Sequence, residues 1–161
     1  MPVPELFHTI RESECNLIEC HISSIRKSGA AFLFVEGNWH KIAKLENMLE
    51  NFANRHQLTL HFKRDESITD ELKQLPYTVD VISADRIGLT DELTKFFNER
   101  DITILDLIAN RYSVAHTGLP LIGIRLTIGI PLSQRVISLR DEFLDYCDDF
   151  NLDAVMEPVK Q

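Results

Sequence analysis

The sequence lacks the long apolar runs, the excess of basic residues and the cysteine framework that mark several classes of protein. No apolar run approaches the roughly 18 residues of a membrane-spanning helix, and the N-terminus has no signal-peptide pattern. Acidic residues outnumber basic ones 25 to 17, which argues against a surface that binds nucleic acid directly. The 3 cysteines have no framework spacing and favour a reducing compartment. We therefore expect a cytoplasmic protein that binds neither membrane nor nucleic acid.

The motifs of common catalytic and metal sites are also absent. The sequence contains no Gly-x-Ser-x-Gly, P-loop or Gly-x-Gly-x-x-Gly motif. Most of its histidines lie in the first half, with Cys15 and Cys20 among them, but no Cys-x-x-Cys or His-x-x-x-His spacing occurs. Cys15 and Cys20 are also expected on opposite faces of one strand. We therefore expect no enzyme, no metal site and no cofactor.

The sequence does contain an internal repeat of about 80 residues, too long for a solenoid unit. One constant offset relates a helix and a strand in the first half to a helix and a strand in the second. The matched pairs are Leu45 with Leu139, Leu49 with Phe143, Phe52 with Tyr146, Leu58 with Leu152 and Phe62 with Met156. At a slightly smaller offset, residues 15–20 match residues 102–107. With 44% hydrophobic residues to fill a core, the chain is expected to fold as two copies of one small domain.

The second copy predicts the element order βαββαβ. Alternation of apolar residues predicts strands over 76–84, 102–112, 122–130 and 153–159. Helical spacing predicts helices over 89–100 and 131–150, the second capped by Ser133. This order is typical of a ferredoxin-like α+β domain, in which an antiparallel sheet carries two helices on one face.

The first copy has the same order but begins late. Its predicted elements are a helix over 4–12, strands over 15–27 and 30–36, a helix that Asn38 caps and that ends near Asn54, and a last strand over 58–64. Trp39 is expected to anchor the core. No sequence is left for the opening strand, which is central in such a sheet. Either the natural start lies upstream, or a strand from elsewhere fills the gap, for example by exchange within a dimer. The predicted domains are residues 1–64, incomplete, and 76–161, with a linker over 65–75.

The second copy resembles the opening of an ACT domain. The resemblance lies in a strand followed by Asp85-Arg86-Ile87-Gly88-Leu89, then a helix and a second strand from Ile102. Ile87 stands where the family has proline, and Thr103 where asparagine is common. The two-copy layout, with the segments 15–19 and 37–42, is similar to the family of glycine cleavage system transcriptional repressors, which consist of two ACT domains.

The resemblance implies a regulatory protein, not an enzyme. ACT domains typically bind an amino acid or another small metabolite where two domains meet. The repressor family acts without its own DNA-binding domain, through a partner activator protein, and glycine relieves the repression. The resemblance therefore implies glycine as the first candidate ligand and a transcriptional activator as the partner. The acidic composition agrees, since an acidic protein needs another protein to reach DNA.

The candidate ligand site is the turn that joins the first strand of the second copy to its helix. Unpaired backbone N–H groups and the helix dipole favour an amino-acid carboxylate there, and glycine allows a close approach. An acidic or amide side chain would pair with the amino group. The candidate residues are Asp85, Arg86, Gly88, Leu89, Asp106, Asn16 and Glu19. Alternatively, Asp85 only caps the helix, Gly88 only shapes the turn and Arg86 is solvated.

An alternative function remains open, namely an interaction or dimerisation module without a small ligand. Exposed sheet edges favour pairing of the two copies or a homodimer. The acidic residues Asp141, Glu142, Asp145, Asp148 and Asp149 predict a solvated helix face or a docking surface for a basic partner. Cys147 on the same helix is expected to be packed rather than reactive.

Overall fold

The computed structural model describes residues 1–65 and 73–160 and divides the chain into two compact units, Met1–Ile68 and Thr69–Gln161. The first unit contains α1 (Val3–Glu12), β1 (Asn16–Ile25), β2 (Ser28–Glu36) and α2 (Trp39–His56). The second unit contains β3 (Gln74–Ala84), α3 (Leu89–Asn98), β4 (Thr103–Ser113), β5 (Pro120–Pro131), α4 (Val136–Asp149) and β6 (Asp153–Pro158). Among the described residues, no helix is both long and apolar enough to span a membrane.

The second unit has the predicted ferredoxin-like architecture. Its four strands form an antiparallel sheet in the order β4-β5-β3-β6, so β3 and β5 are central. Val79 and Val81 of β3 face the core and are 0% and 1% exposed. They lie opposite Leu126 and Ile124 of β5, whose apolar alternation predicted a strand with one buried face.

The helices of the second unit close this core from one side. Leu93 and Phe97 of α3 and Phe143 of α4 are fully buried against the sheet. The rings of Phe97 and Phe143 have centroids 5.0 Å apart, within the range for favourable aromatic pairs. Cys147 is packed in the same core at 1% exposure, and burial raises the pKa of its thiol to about 12.

The first unit is a smaller version with half the sheet. β1 and β2 form a two-stranded antiparallel sheet. The core is small and consists of side chains from α1 and α2 together with Cys15. Asn38 caps α2 as predicted, because its side chain accepts a hydrogen bond of 2.9 Å from the Lys41 backbone N–H. The buried apolar residues of the cluster are Leu6, Ile10, Cys15, Leu45 and Phe52. The described part of this unit contains no strand equivalent to β3.

The predicted last strand of the first copy, over 58–64, is wrong. These residues form neither helix nor strand. The physical reason is visible in the second unit, where the equivalent strand β6 pairs with β3 alone. Without an equivalent of β3 beside them, residues 58–64 have no ladder partner, and alternation of apolar side chains alone does not make a strand.

Two predictions about the helices are also wrong. The chain is still in β5 at Pro131, so α4 begins at Val136 behind Arg135, which makes no capping side-chain bond, and Ser133 lies in the preceding turn. Trp39, the first residue of α2, is 67% exposed, because six positions along a helix place it about a third of a turn away from the buried Leu45. The Arg64 guanidinium lies over its ring, 5.5 Å from the centroid.

Two backbone features, a β-bulge and a helix end, occur at equivalent positions in both units. Each unit has a β-bulge at the same place, between Leu17 and Glu19 in β1 and between Ile104 and Asp106 in β4. The helices α2 and α4 also end alike. Each is followed by a left-handed residue at φ 53°, Gln57 and Asn151 respectively. The next backbone N–H then donates a hydrogen bond of 2.8–2.9 Å to a carbonyl in the last turn of the helix. The internal repeat is therefore structural as well as sequential.

Candidate functional site

The turn between β3 and α3 is built around Gly88. This residue has φ +88°, in the left-handed region, and forms the N-cap of α3. A Cβ there would meet only the Glu92 Oε1 atom, at 4.0 Å. Glycine is therefore favoured by the backbone conformation and not by crowding. The Asp85 N–H donates to the Pro120 carbonyl at 3.0 Å, which ties the start of the turn to β5.

The first turn of α3 offers backbone donors. The N–H of Glu92 is the first to bond back, to the Gly88 carbonyl at 3.0 Å. No described residue accepts from the N–H groups of Leu89, Thr90 and Asp91. The Leu89 side chain is 1% exposed and anchors the helix start in the core. Such a helix start favours an anion, through its free donors and its dipole.

Asp85 is held by an ion pair. Its carboxylate lies 2.7 Å from Nε of Arg111, which belongs to β4, and the Asp85 side chain is 25% exposed. Asp85 does not cap α3, since the N-cap is Gly88 and no side chain makes a capping bond. An amino group at this place would share the carboxylate with Arg111 or displace it. Nothing in the sequence pointed to Arg111.

Arg86 is also paired rather than solvated. Its guanidinium donates two hydrogen bonds to Glu92, at 3.1 and 2.5 Å, and lies 5.9 Å from the Phe150 ring centroid. The bond from Arg86 lowers the pKa of Glu92. Burial, followed by the nearby Glu92 charge, raises the pKa of Tyr146. The Glu92 carboxylate in the first turn of α3 is therefore paired within its own unit.

Asp106 does not join Asp85 within the second unit. It lies on β4 opposite Thr127, while Asp85 follows Ala84, which is level with Tyr112 at the other end of β4. Six residues along a strand span about 20 Å. Asp106 directly follows the bulge of β4, and bulges are over-represented beside functional sites.

The two candidates of the first copy lie in the first unit. Glu19 follows the bulge of β1, at the position equivalent to Asp106, and its carboxylate is 3.7 Å from Nε2 of His21. Asn16 begins β1, opposite Glu36. The structure therefore groups Asp85, Arg86, Gly88 and Leu89 in one turn. Asp106 lies further along β4 in the same unit, and Asn16 and Glu19 belong to the first unit.

Two cavities are lined by residues outside this turn, one in each unit. The first, of about 390 Å³, is beside the C-terminal end of α3 and is lined by residues from Asn98 to Ile104. The second, of about 290 Å³, lies between α2 and the segment 58–62. Neither is lined by a predicted site residue.

No group of three His, Cys, Asp or Glu residues in the described ranges could hold a metal ion. The expectation that Cys15 and Cys20 lie on opposite faces of one strand is nevertheless wrong. The bulge in β1 shifts the alternation of its side chains between the two faces of the sheet. Cys20 therefore lies opposite Leu33 on the core side, the same side as the buried Cys15.

Comparisons with known proteins agree with this architecture. The ACT domain family model matches residues 3–63, which is the first unit. No curated protein matches the sequence. A crystal structure described as a "putative glycine cleavage system transcriptional repressor" has a TM-score of 0.73 and 21% identity, covering 99% of this chain and 90% of that chain. A protein from Galdieria sulphuraria described as unknown has a TM-score of 0.72 and 14% identity, covering 98% and 90%.

At these identities the two structures establish the fold. The family-model match falls on the unit with half a sheet, and the unit with the complete βαββαβ order carries the sequence that resembles the ACT opening. Both halves of the chain thus lead to the same domain type. The chain is a tandem ACT-fold protein.

Proposed function

We propose that this chain is a non-enzymatic regulatory protein that binds an amino acid at the turn before α3. Glycine is the first candidate, and the protein would act as a transcriptional repressor through a protein partner. The observation that carries the proposal is the Asp85–Gly88 turn of an ACT fold, in which a left-handed glycine opens a helix with free backbone donors. The structural relative described as a glycine cleavage repressor supports the same class.

The turn supplies both groups that an amino acid needs. The ligand carboxylate would accept from the N–H groups at the start of α3, where the helix dipole favours negative charge. The ligand ammonium would pair with the Asp85 carboxylate, which already holds the Arg111 guanidinium at 2.7 Å. The Arg86–Glu92 pair removes the repulsion that a free Glu92 would exert on the ligand carboxylate.

A protein partner is supported by charge. The chain has a formal net charge of −8, and the acidic residues at positions 141, 142, 145, 148 and 149 of α4 are exposed. Such a surface suits a basic partner, for which we propose a transcriptional activator. Asp106 lies about 20 Å from Asp85 within one unit, so it would contribute to such a site only across a domain interface, formed either by the two copies of one chain or by a homodimer.

Isothermal titration of the full chain with glycine, then with serine and the other amino acids, tests ligand binding. We expect saturable heat with wild type and none with Asp85→Ala. The matched control is Asp80→Ala, because Asp80 lies on β3 just before this turn and its carboxylate is 2.7 Å from Nε of Arg125, the same distance as in the Asp85–Arg111 pair. Arg111→Ala should leave the affinity unchanged or raise it, since it frees the Asp85 carboxylate. Equal affinity in wild type and Asp85→Ala would exclude this turn as the site.

The alternative is an interaction module without a small ligand. The ion pairs Asp85–Arg111 and Arg86–Glu92 favour this alternative, because both side chains of the turn have partners in the second unit without a ligand. In that case no amino acid would give heat, while sedimentation would show a homodimer or a complex with a basic protein.

A further inference from the structure

We propose that the outer face of the sheet in the second unit, the face that carries no helices, is a docking surface for a basic amphipathic helix of another protein. All four strands of this sheet and both helices packed on it lie in the described part of the chain. The surface is distinct from the acidic face of α4, and its role does not depend on whether an amino acid binds beside Gly88.

The strand register identifies which side chains point outward. Val79 and Val81 of β3 face the core, so Asp80 and Ile82 point to the opposite side. The residues level with these in the neighbouring strands point the same way. The outward positions are 106, 108, 110 and 112 of β4, 121, 123, 125 and 127 of β5, 78, 80, 82 and 84 of β3, and 153, 155 and 157 of β6.

Four of these outward side chains form an apolar stripe across the sheet. Tyr112 lies opposite Leu121, which is diagonally next to Ile82. Ile82 is in turn diagonally next to Val155, and the two are 45% and 49% exposed. The Tyr112 ring also lies 3.5 Å from the place of a Cβ on Gly123, so the stripe is continuous. An exposed face of an antiparallel sheet is normally polar, and a continuous apolar patch with a polar rim marks an interaction site.

The free charges beside the stripe are negative. Asp153 lies opposite Ile82, and Glu157 follows Val155 by two residues on the same face of β6. Both acidic side chains are exposed, and neither forms an ion pair with a described residue. Lysine or arginine side chains beside an apolar stripe of a partner would therefore be complementary in charge.

These charges make a second copy of the same face a poor partner. Among the outward positions the one basic residue is Arg125, and its Nε is already 2.7 Å from the Asp80 carboxylate. Two stacked faces would bring their unpaired acidic residues together, which repel each other. The same carboxylates disfavour nucleic acid and anionic membranes.

The strand pairing specifies a helix as the partner element. β3 and β5 each pair with a strand on both sides, so this face offers side chains and no free backbone ladder. A helix satisfies its own backbone groups and presents an apolar stripe with charged flanks. From Tyr112 to Val155 the stripe crosses three strand spacings and four residues along the strands, about 20 Å. A helix of about 13 residues has this length.

The probe is a synthetic peptide of about 14 residues that contains only leucine and lysine, with the leucines at helical spacing. We expect it to bind the full chain and to shift the methyl NMR signals of Ile82 and Val155, but not that of Ile137 on α4. The same peptide with glutamate in place of lysine should bind at least about tenfold more weakly, because its charges are repelled.

Ile82→Lys and Ile137→Lys provide a matched pair. Both replace an exposed isoleucine and change the net charge equally, but Ile137 belongs to α4, on the other side of the sheet. Ile82→Lys should weaken peptide binding at least about tenfold, and Ile137→Lys less than about twofold. Val155→Lys should act like Ile82→Lys, and because β6 is an edge strand it controls for damage to the central strand. Circular dichroism checks that each variant is folded.

A second pair of variants separates this face from the acidic face of α4. Asp153→Asn with Glu157→Gln removes two carboxylates from the sheet, and Asp148→Asn with Asp149→Asn removes two from α4. The first double variant should weaken peptide binding and its dependence on salt, whereas the second should change neither.

Failure of the peptide to bind would overturn the proposal, as would equal binding of its glutamate version. Equal or larger losses in the α4 variants would also overturn it and would place a basic partner on α4. A dimer mass in sedimentation that Val155→Lys converts to a monomer mass would assign the face to a second copy. Unfolding of both Ile82→Lys and Val155→Lys without peptide would show that the face is already covered.

Discussion

Phe62 and Met156 occupy equivalent positions in the two units, but Met156 is 0% exposed and Phe62 is 45% exposed. Met156 is covered by β3, its ladder partner on one side, whereas no described strand lies beside Phe62. The same repeat position is therefore a core position in one unit and a half-exposed position in the other.

This difference predicts opposite sensitivities to truncation. Met156→Ala should lower the free energy of unfolding of the second unit by about 2–5 kcal/mol, because it leaves a cavity in a closed core. Phe62→Ala should cost less, about 1 kcal/mol, since only about half of the side chain is buried. Urea denaturation followed by circular dichroism measures both. Comparable losses in the two variants would mean that Phe62 is covered in solution.

The contact between Gly37 and Cys15 predicts a coupled pair. A Cβ at position 37 would lie 2.9 Å from Sγ of the buried Cys15. Gly37→Ala should therefore destabilise the first unit by about 1–3 kcal/mol through overpacking. Combining it with Cys15→Ala should recover part of that loss relative to the sum of the single variants. Strict additivity in chemical denaturation would show that the two side chains do not meet.

The two predicted caps provide a second comparison. Asn38→Ala should cost about 1 kcal/mol, because the side chain satisfies the Lys41 N–H at the start of α2. Ser133→Ala should change the stability by less than about 0.5 kcal/mol, since Ser133 is exposed in a turn and α4 starts after Arg135. Thermal unfolding of the two variants in parallel checks this, and a larger effect at Ser133 would contradict the assigned start of α4.

The buried thiol of Cys147 predicts a loss of stability at alkaline pH. Its folded pKa is raised to about 12 from a usual value of 9.0. Above pH 9 the unfolded chain therefore releases this proton while the folded chain keeps it, so stability falls as pH rises, by up to about 1.4 kcal/mol per pH unit.

The measurement is urea denaturation between pH 8 and 10 in wild type and Cys147→Ala. The variant is expected to start from a lower stability, because it leaves a cavity, but to decline less steeply over this range. Parallel pH profiles would show that the thiol ionises equally in both states.

Much of the architecture could be predicted because it follows from local patterns. The alternation at Ile122–Ile130 predicted the central strand β5, helical spacing predicted all four helices, and Asn38 predicted the start of α2. The turn that groups Asp85 with Gly88 was also visible in the sequence, since a short segment between a strand and a helix keeps its residues together whatever the rest of the chain does.

The partners of these residues could not be predicted. Arg111 reaches Asp85 from β4, and the register that brings it there is set by the sheet and not by any local signal. The separation of about 20 Å between Asp106 and Asp85 is likewise a property of strand pairing.

The sequence by itself determined the two-copy organisation, the element types of the second unit and the position of its strand–helix turn, because these depend on periodicity and on turn residues. Only the tertiary structure decided that residues 58–64 form no strand, that Trp39 is exposed and that Asp85 and Arg86 are already paired. Each of these depends on which segments lie side by side in space. A strand needs a ladder partner, and a side chain is buried only where another element covers it.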